Sequence, residues 1–269
     1  MLVILPCMHL VATLTSDAHL QRNLWRFRDP LGRFHLHPIR ENTAERMLRS
    51  LAPLEFAGAL ILDPEQQLEV PGLLQRSSME VQESGAADTV TATPAGLIGE
   101  YNFGRAVGRM LKAAQWDARD ARATILGAGP QVKAIARELS SLGVSELAVL
   151  ADNRPEAEQS VPVLAASTRV ITRTFNDPLA ERHLQDSDLI VRLDPRSTVP
   201  AHVLGPHLTL VDLGSSGVSA MRSQALNVGA LSFNRLDFDA HFIALALGQV
   251  LGGAIDAEPF LALFHEGVH

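Results

Sequence analysis

The sequence predicts an α/β fold in two domains, the second a doubly wound parallel sheet. Three observations carry this. Short apolar, β-branched runs alternate with stretches of helical period along the chain, the pattern of strands and helices packed in layers. From Thr124 onward that alternation becomes regular, with ATILG, ELAVLA, TRVITRTF, SDLIVRL and LTLVDLG as five strand candidates separated by helical or loop material. The 269 residues, 46% hydrophobic and 20% charged, supply core material for one large or two modest domains. The domains are expected at 1–100 and 101–236, with helical residues 237–269 packing back on the first.

In chain order, the run MLVILPCMHLVATL predicts a first buried strand at LVIL, with Cys7 as a packing residue. Pro6 and His9 interrupt it, and it lacks the basic flank and small-residue cleavage site of a signal peptide. HLQRNLWRFR reads as a helix capped by Ser16 or Asp17. NTAERMLRSLA reads as another, capped by Asn42 or Thr43, with Met47, Leu48 and Leu51 on its apolar face. FAGALIL is a compact strand ended by Asp63 and Pro64. A longer helix is expected from Asn102 to Gln115, with Gly104 and Gly108 allowing close packing. FDAHFIALALGQVLGG and IDAEPFLALFHEG complete the helices.

Charge and cysteine content limit the function. The net charge of -7 argues against a phosphate-contacting nucleic-acid role. One cysteine excludes an internal disulfide and a cysteine-based zinc site, and fits a reducing, cytoplasmic compartment. Membrane partners are not expected. His35 and His37 form H-x-H on FHLHP, but no third ligand stands close in sequence, and no metal site is expected. Only two lysines occur, Lys112 and Lys133.

The stretch TILGAGPQVKAIARELSSLGVSELAVLADNR has the order strand, Gly-Ala-Gly, helix, strand. Gly127, Gly129 and Val132 stand at the positions of G-x-G-x-x-G. The first glycine permits the tight turn, and the second lets backbone approach a pyrophosphate at the helix N-terminus. Val132 departs from the pattern, and Pro130 suits the first helical turn. A Rossmann-type dinucleotide domain follows, with Gly127, Ala128, Gly129, Pro130, Gln131, Asp152, Asn153 and Arg154 as cofactor-binding candidates. Asp152 would bind ribose hydroxyls and Arg154 would attract a 2′-phosphate, so the expected cofactor is NADP or NAD, with NADP slightly favoured. Two plainer roles also stand: Asp152 as a turn cap and Arg154 as a solvated charge.

GAGPQVKAIARELSSLGVSELAVLADNRPEAE, SDLIVRLDP, LVDLGSS and GGAIDAEPF resemble segments of the shikimate and quinate dehydrogenases. The resemblance covers nearly the whole chain and is most marked from residue 96 onward. It implies a substrate domain followed by a nucleotide domain, and hydride transfer between a ring alcohol and NADP or NAD. In that family a lysine moves the proton and an aspartate orients it. Here Gln66 stands at the lysine and Phe103 at the aspartate. Leu60 and Leu62 replace an asparagine and a threonine that hold the substrate, while Pro64 matches. Ser16 matches one serine of a pair whose other member is Ala18. Asp88 replaces an asparagine beside a matching Thr89, and the glutamine that would face the substrate falls near Phe242.

Ordinary shikimate dehydrogenase activity is therefore expected to be weak or absent. Neither Lys112, in the long helix, nor Lys133, in the nucleotide helix, is placed to substitute. Tyr101, the only tyrosine, is either a proton donor or base, or an aromatic packed at the domain junction. Tyr101 and Gln66 are the catalytic candidates, and Ser16, Asp88, Thr89, Asn102 and Phe242 the substrate-binding ones. His241 is either a further contact or a helix-surface residue. Asp63, Asp88 and Glu100 favour a neutral or cationic small-molecule substrate over an anionic ring. Two functions remain open: an NAD(P)-dependent oxidoreductase with altered specificity for a small alcohol or ketone, and a non-catalytic relative that senses a nucleotide or metabolite.

Overall fold

The computed structural model describes residues 8–39, 43–214 and 219–266. They form two compact units, Met1–Asn102 with Phe242–His269, and Phe103–His241. The expected strand at LVIL, Cys7, the Asn42 cap and Ser215–Ser216 of LVDLGSS lie outside the described residues.

The first unit is built on a six-stranded mixed sheet. Its strands are β1 (His9–Leu14), β2 (Phe34–Pro38), β3 (Phe56–Ile61), β4 (Arg76–Ser77), β5 (Thr89–Thr93) and β6 (Gly96–Glu100), in the order β2-β1-β3-β5-β6-β4. β1 is the later half of the long apolar run and pairs in parallel with both β2 and β3. β5 and β6 form an antiparallel hairpin, with Thr93 paired to Gly96. Gly58 allows β3 to sit against β5, because a Cβ there would lie 2.3 Å from the Val90 carbonyl oxygen.

Four helices follow these strands: α1 (Ala18–Arg26), α2 (Ala44–Leu51), α3 (Pro64–Gln67) and α4 (Met79–Ser84). Asp17 caps α1, accepting from the His19 and Leu20 amides at 2.8 and 3.0 Å. Thr43 caps α2. The hairpin, β4 and the last strand of the second unit were not foreseen. TVTAT and GLIGE are short and weakly apolar, and their pairing across Pro94-Ala95 is what makes them strands.

The second unit begins with α5 (Phe103–Ala113) and holds six parallel strands. They are β7 (Arg122–Leu126), β8 (Glu146–Ala151), β9 (Arg169–Thr174), β10 (Leu189–Arg192), β11 (Thr209–Asp212) and β12 (Leu231–Phe233). Their order β12-β11-β10-β7-β8-β9 is that of a doubly wound dinucleotide-binding sheet, with the reversal between β7 and β10. The helices between them are α6 (Pro130–Ser141), α7 (Arg154–Gln159), α8 (Ala180–Gln185) and α9 (Ala220–Asn227). Buried on both faces, β8 and β10 read as unbroken apolar runs apart from their ends.

The division between the units falls inside α10 (Arg235–Leu251), and α11 (Glu258–His265) belongs to the first unit. There Phe260 stacks on Phe27 with ring centroids 4.2 Å apart. No helix among the described residues is long and apolar enough to cross a membrane.

Candidate functional site

The second unit carries the glycine turn at the C-terminal end of β7. Gly127 has φ +142° and Gly129 φ +92°, backbone that residues with a side chain rarely adopt. A Cβ on Gly127 would also stand 3.1 Å from the Leu193 Cβ. The Gly127 amide donates to the Leu150 carbonyl at 2.8 Å, and the Gly129 amide donates to Ser160 Oγ at 2.7 Å. Gly129 is the N-cap of α6, and Pro130 opens the helix, where its missing N–H costs nothing. Val132 is fully buried, so a valine fills the interface that the motif's third glycine would leave open.

A cavity of about 380 Å³ lies over this turn. Gly127, Ala128, Gln131 and Asp152 line it, together with Glu156 and the loop Leu193–Arg196. Asp152 is exposed at the end of β8, and its Oδ2 accepts from Arg196 Nη2 at 2.5 Å. The same guanidinium donates to Asp194 Oδ2 at 2.9 Å. Hydrogen bonds from Arg196 hold the Asp194 carboxyl below its ordinary pKa, and the two carboxylates keep Arg196 firmly charged. Asn153 does not line the cavity; its side chain caps α7 by accepting from the Glu156 amide at 3.0 Å. Arg154 also stands apart from the lining, paired along α7 with Glu158 at 2.7 Å. The cation beside Asp152 is thus Arg196, which the sequence reading missed.

Arg192 shapes the loop that delivers Arg196. Its buried guanidinium meets Asp212 Oδ1 at 2.8 Å, and it donates to the Ser197 carbonyl at 2.9 Å and to the Pro195 carbonyl. An arginine at the end of an apolar strand, twenty residues before an aspartate at the end of the next strand, was the available signal. In a parallel sheet those two ends lie side by side, and Arg192 pairs with Asp212 in register.

Ser16, Asp88, Thr89, Asn102 and Phe242 belong to the first unit, whereas Phe103 and His241 fall in the second. Asp88, Thr89 and Asn102 come together in one buried network. Thr89 Oγ1 donates to Asp88 Oδ1 at 2.9 Å, and the Asn102 amide donates to Asp88 Oδ2 at 2.7 Å. Asn102 Nδ2 donates to Thr89 Oγ1 at 3.0 Å and to Gln249 Oε1, and Gln249 in turn donates to Glu100. Gln249 was not singled out in the sequence.

Ser16 stands elsewhere, exposed, with its amide and hydroxyl both on Asp63 Oδ1, at 2.9 and 3.1 Å. Gln66 has a structural duty, since its amide oxygen accepts from the Ala44 amide at 2.7 Å and closes the first turn of α2. Tyr101 is 2% exposed. Leu60, Leu62, Phe242 and His241 are buried as well, so His241 is not a helix-surface residue. Phe103 packs on Phe238 with centroids 4.5 Å apart. His35 and His37 have ring centroids 6.4 Å apart, and no group of three or more metal-ligating side chains occurs among the described residues.

No family model matches the chain. Among curated proteins it is similar to the NADP(+) shikimate dehydrogenase of Dehalococcoides mccartyi, 30% identical over 180 residues, which is 62% of either chain. It is also similar to that of Maricaulis maris, 28% identical over 154 residues, 57% of this chain and 53% of the other. The chain thus aligns with less than two thirds of the length of these relatives.

Solved structures match along nearly all of it. Shikimate 5-dehydrogenase from Listeria monocytogenes, in complex with shikimate and NAD, gives a TM-score of 0.77 at 17% identity, covering 95% of this chain and 96% of that one. Quinate dehydrogenase from Corynebacterium glutamicum, in complex with NAD, gives 0.76 at 16%, covering 97% and 99%. Ligand-free 5-ketofructose reductase from a Gluconobacter species gives 0.75 at 16%, covering 96% and 98%. The chain is thus similar in sequence to two shikimate dehydrogenases over part of their length, and it has the fold of the shikimate and quinate dehydrogenases.

Proposed function

We propose that the chain is an NAD(P)-dependent oxidoreductase acting on a small neutral alcohol or ketone, with little or no activity on shikimate. The observation that carries this reading is the Gly127–Gly129 turn beneath its own cavity, at the strand ends where doubly wound sheets receive dinucleotides. Bound there, the nicotinamide ring would accept or supply the hydride, while the alcohol's proton leaves to, or arrives from, a protein group or water. The chain's residues divide the rest of the task. Gly127 and Gly129 would let backbone approach the pyrophosphate. Asp152 would meet the adenosine ribose, with Arg196 beside it. Tyr101 is the candidate for proton handling, because Gln66 cannot exchange a proton near neutral pH.

The substrate class follows from charge. Asp88 and Glu100 belong to one hydrogen-bonded network in the first unit, and Leu60, at a position where the resembling family holds its substrate with a polar group, pairs in register with Thr89 of that network. A carboxylated ring would meet repulsion there, whereas a neutral polyol would not. That a ketofructose reductase shares the fold supports a neutral ketone. A second reading, a non-catalytic nucleotide or metabolite binder, is favoured by the same network, because its polar groups already bond to one another.

The test is titration of pure protein with NADPH and NADH, read by nicotinamide fluorescence, followed by rates on shikimate, quinate and neutral ketoses. Saturable binding with turnover of a neutral ketone, lowered about 10²-fold or more in Tyr101→Phe, supports the enzyme. Binding without turnover of any ketone supports the second reading. Robust shikimate oxidation overturns the assigned specificity.

A further inference from the structure

Among the described residues, the cavity over the glycine turn is lined by three carboxylates and one guanidinium. The acids are Asp152 after β8, Glu156 in the first turn of α7 and Asp194 after β10, and the cation is Arg196. Asp152 and Glu156 are exposed. Residues 215–218 are Ser-Ser-Gly-Val and carry no charge. Negative charge therefore outnumbers positive on this lining.

The one cation is already engaged. Arg196 Nη2 donates to Asp152 Oδ2 at 2.5 Å and to Asp194 Oδ2 at 2.9 Å, and Nε donates to Asp194 Oδ1 at 3.2 Å. The loop that carries it is tied down as well. The Arg196 amide donates to Asp194 Oδ1 at 2.8 Å, and Ser197 Oγ donates to the Asp194 carbonyl at 2.8 Å. The buried Arg192 guanidinium holds the Pro195 and Ser197 carbonyls. To serve a phosphate, Arg196 would have to leave Asp152, and that carboxylate would then face the new anion without it. Arg154 does not line the cavity and pairs with Glu158 at 2.7 Å.

NAD and NADP differ at one place, the 2′ position of the adenosine ribose. A hydroxyl there can donate to a carboxylate, whereas a phosphate brings roughly two further negative charges. The pyrophosphate is common to both cofactors and cancels in the comparison. We propose that this cavity selects NAD(H) over NADP(H), with Asp152 receiving the ribose hydroxyls and Glu156 adding to the repulsion of a 2′-phosphate. The assignment rests on the dinucleotide reading of the site. It sets the chain apart from the two NADP(+) shikimate dehydrogenases to which its sequence is similar.

The experiment uses the full chain. NADH and NADPH are titrated by nicotinamide fluorescence, and NAD+ and NADP+ by the rise in Tm that each produces. NADH should bind at least about tenfold more tightly than NADPH at low salt. NAD+ should raise Tm more than NADP+ at equal concentration. Raising salt from about 0.05 to about 0.5 M should narrow the preference, because exposed carboxylates are screened from the phosphate. Glu156→Gln should raise the ratio of NADPH to NADH affinity by about two- to fivefold. Combined with Asp152→Asn, it should raise that ratio beyond the effect of Asp152→Asn alone.

NADPH binding as tightly as NADH, or more tightly, overturns the selection and leaves the dinucleotide reading standing. Binding of neither dinucleotide overturns both. A preference for NADH that neither salt nor Glu156→Gln alters overturns the role of the carboxylates.

Discussion

Arg196 stands between Asp152 and Asp194, on the lining of the cavity over the glycine turn. In the proposed site the Asp152 carboxylate would face the ribose 2′ substituent and would repel a phosphate there. Replacing Asp152 with Asn removes that repulsion and releases one side of Arg196. The ratio of NADPH to NADH affinity should then rise by about three- to tenfold, measured by paired fluorescence titrations. Arg196→Ala should move the ratio the other way, because the lining loses its cation. A ratio unchanged in both variants would remove this pair from cofactor selection. At this scale the sequence was informative about glycines and less so about charges. Gly127 and Gly129 were legible because their geometry is local. Arg196, in contrast, follows β10 and meets Asp152 across forty-four positions, so no local pattern announces it. Gln66 shows the reverse case: its alignment with a catalytic position pointed to chemistry, while its oxygen caps the helix α2.

The packing of α5 on α6 shows how an element acquires its place. A Cβ on Gly104 would lie 2.1 Å from the Ala134 carbonyl oxygen, and one on Gly108 would lie 2.3 Å from Glu138 Oε1. Helix propensity alone predicts that Gly104→Ala stabilises the protein by up to about 1 kcal/mol. The packing predicts the opposite, a loss of about 2–3 kcal/mol, because backbone has to move to admit the methyl group. Thermal denaturation should show Tm lower by about 5–10 °C. A raised Tm would mean that the helices separate at little cost. The small residues in this helix were visible in the sequence, with their spacing of four. The partner they press on was not, because α6 lies more than twenty residues further along. The β5–β6 hairpin was missed for a related reason, since strands of five weakly apolar residues are defined by their pairing and not by composition.

Stability of the whole molecule responds to one half-buried carboxylate at that helix contact. Burial raises the Glu138 pKa above 4.5, and nearby Arg105 only partly offsets the effect. The native state therefore binds this proton at a higher pH than the unfolded chain does. Across the window between the two pKa values the native state holds more protons, so stability falls as pH rises and stays lowered at neutral pH. Glu138→Gln should raise Tm by about 1–3 °C at pH 7 and leave it unchanged below pH ~4, where both forms are neutral. An equal shift at both pH values would make the effect one of packing and not of charge.

By itself the sequence determined the α/β class, the parallel second sheet and the position of the glycine turn. Each of these rests on hydrophobic period or backbone freedom within a few residues. Its resemblance to the shikimate and quinate dehydrogenases implies Gln66 and Phe103 at their lysine and aspartate positions, and the proposed low activity on shikimate rests on that. Only the tertiary structure decided that Arg196 and not Arg154 stands beside Asp152. The same holds for the joining of Asp88, Thr89, Asn102 and Gln249 into one network. Charges and hydrogen-bonding groups act through space, and the fold sets that space by bringing together residues up to 147 positions apart.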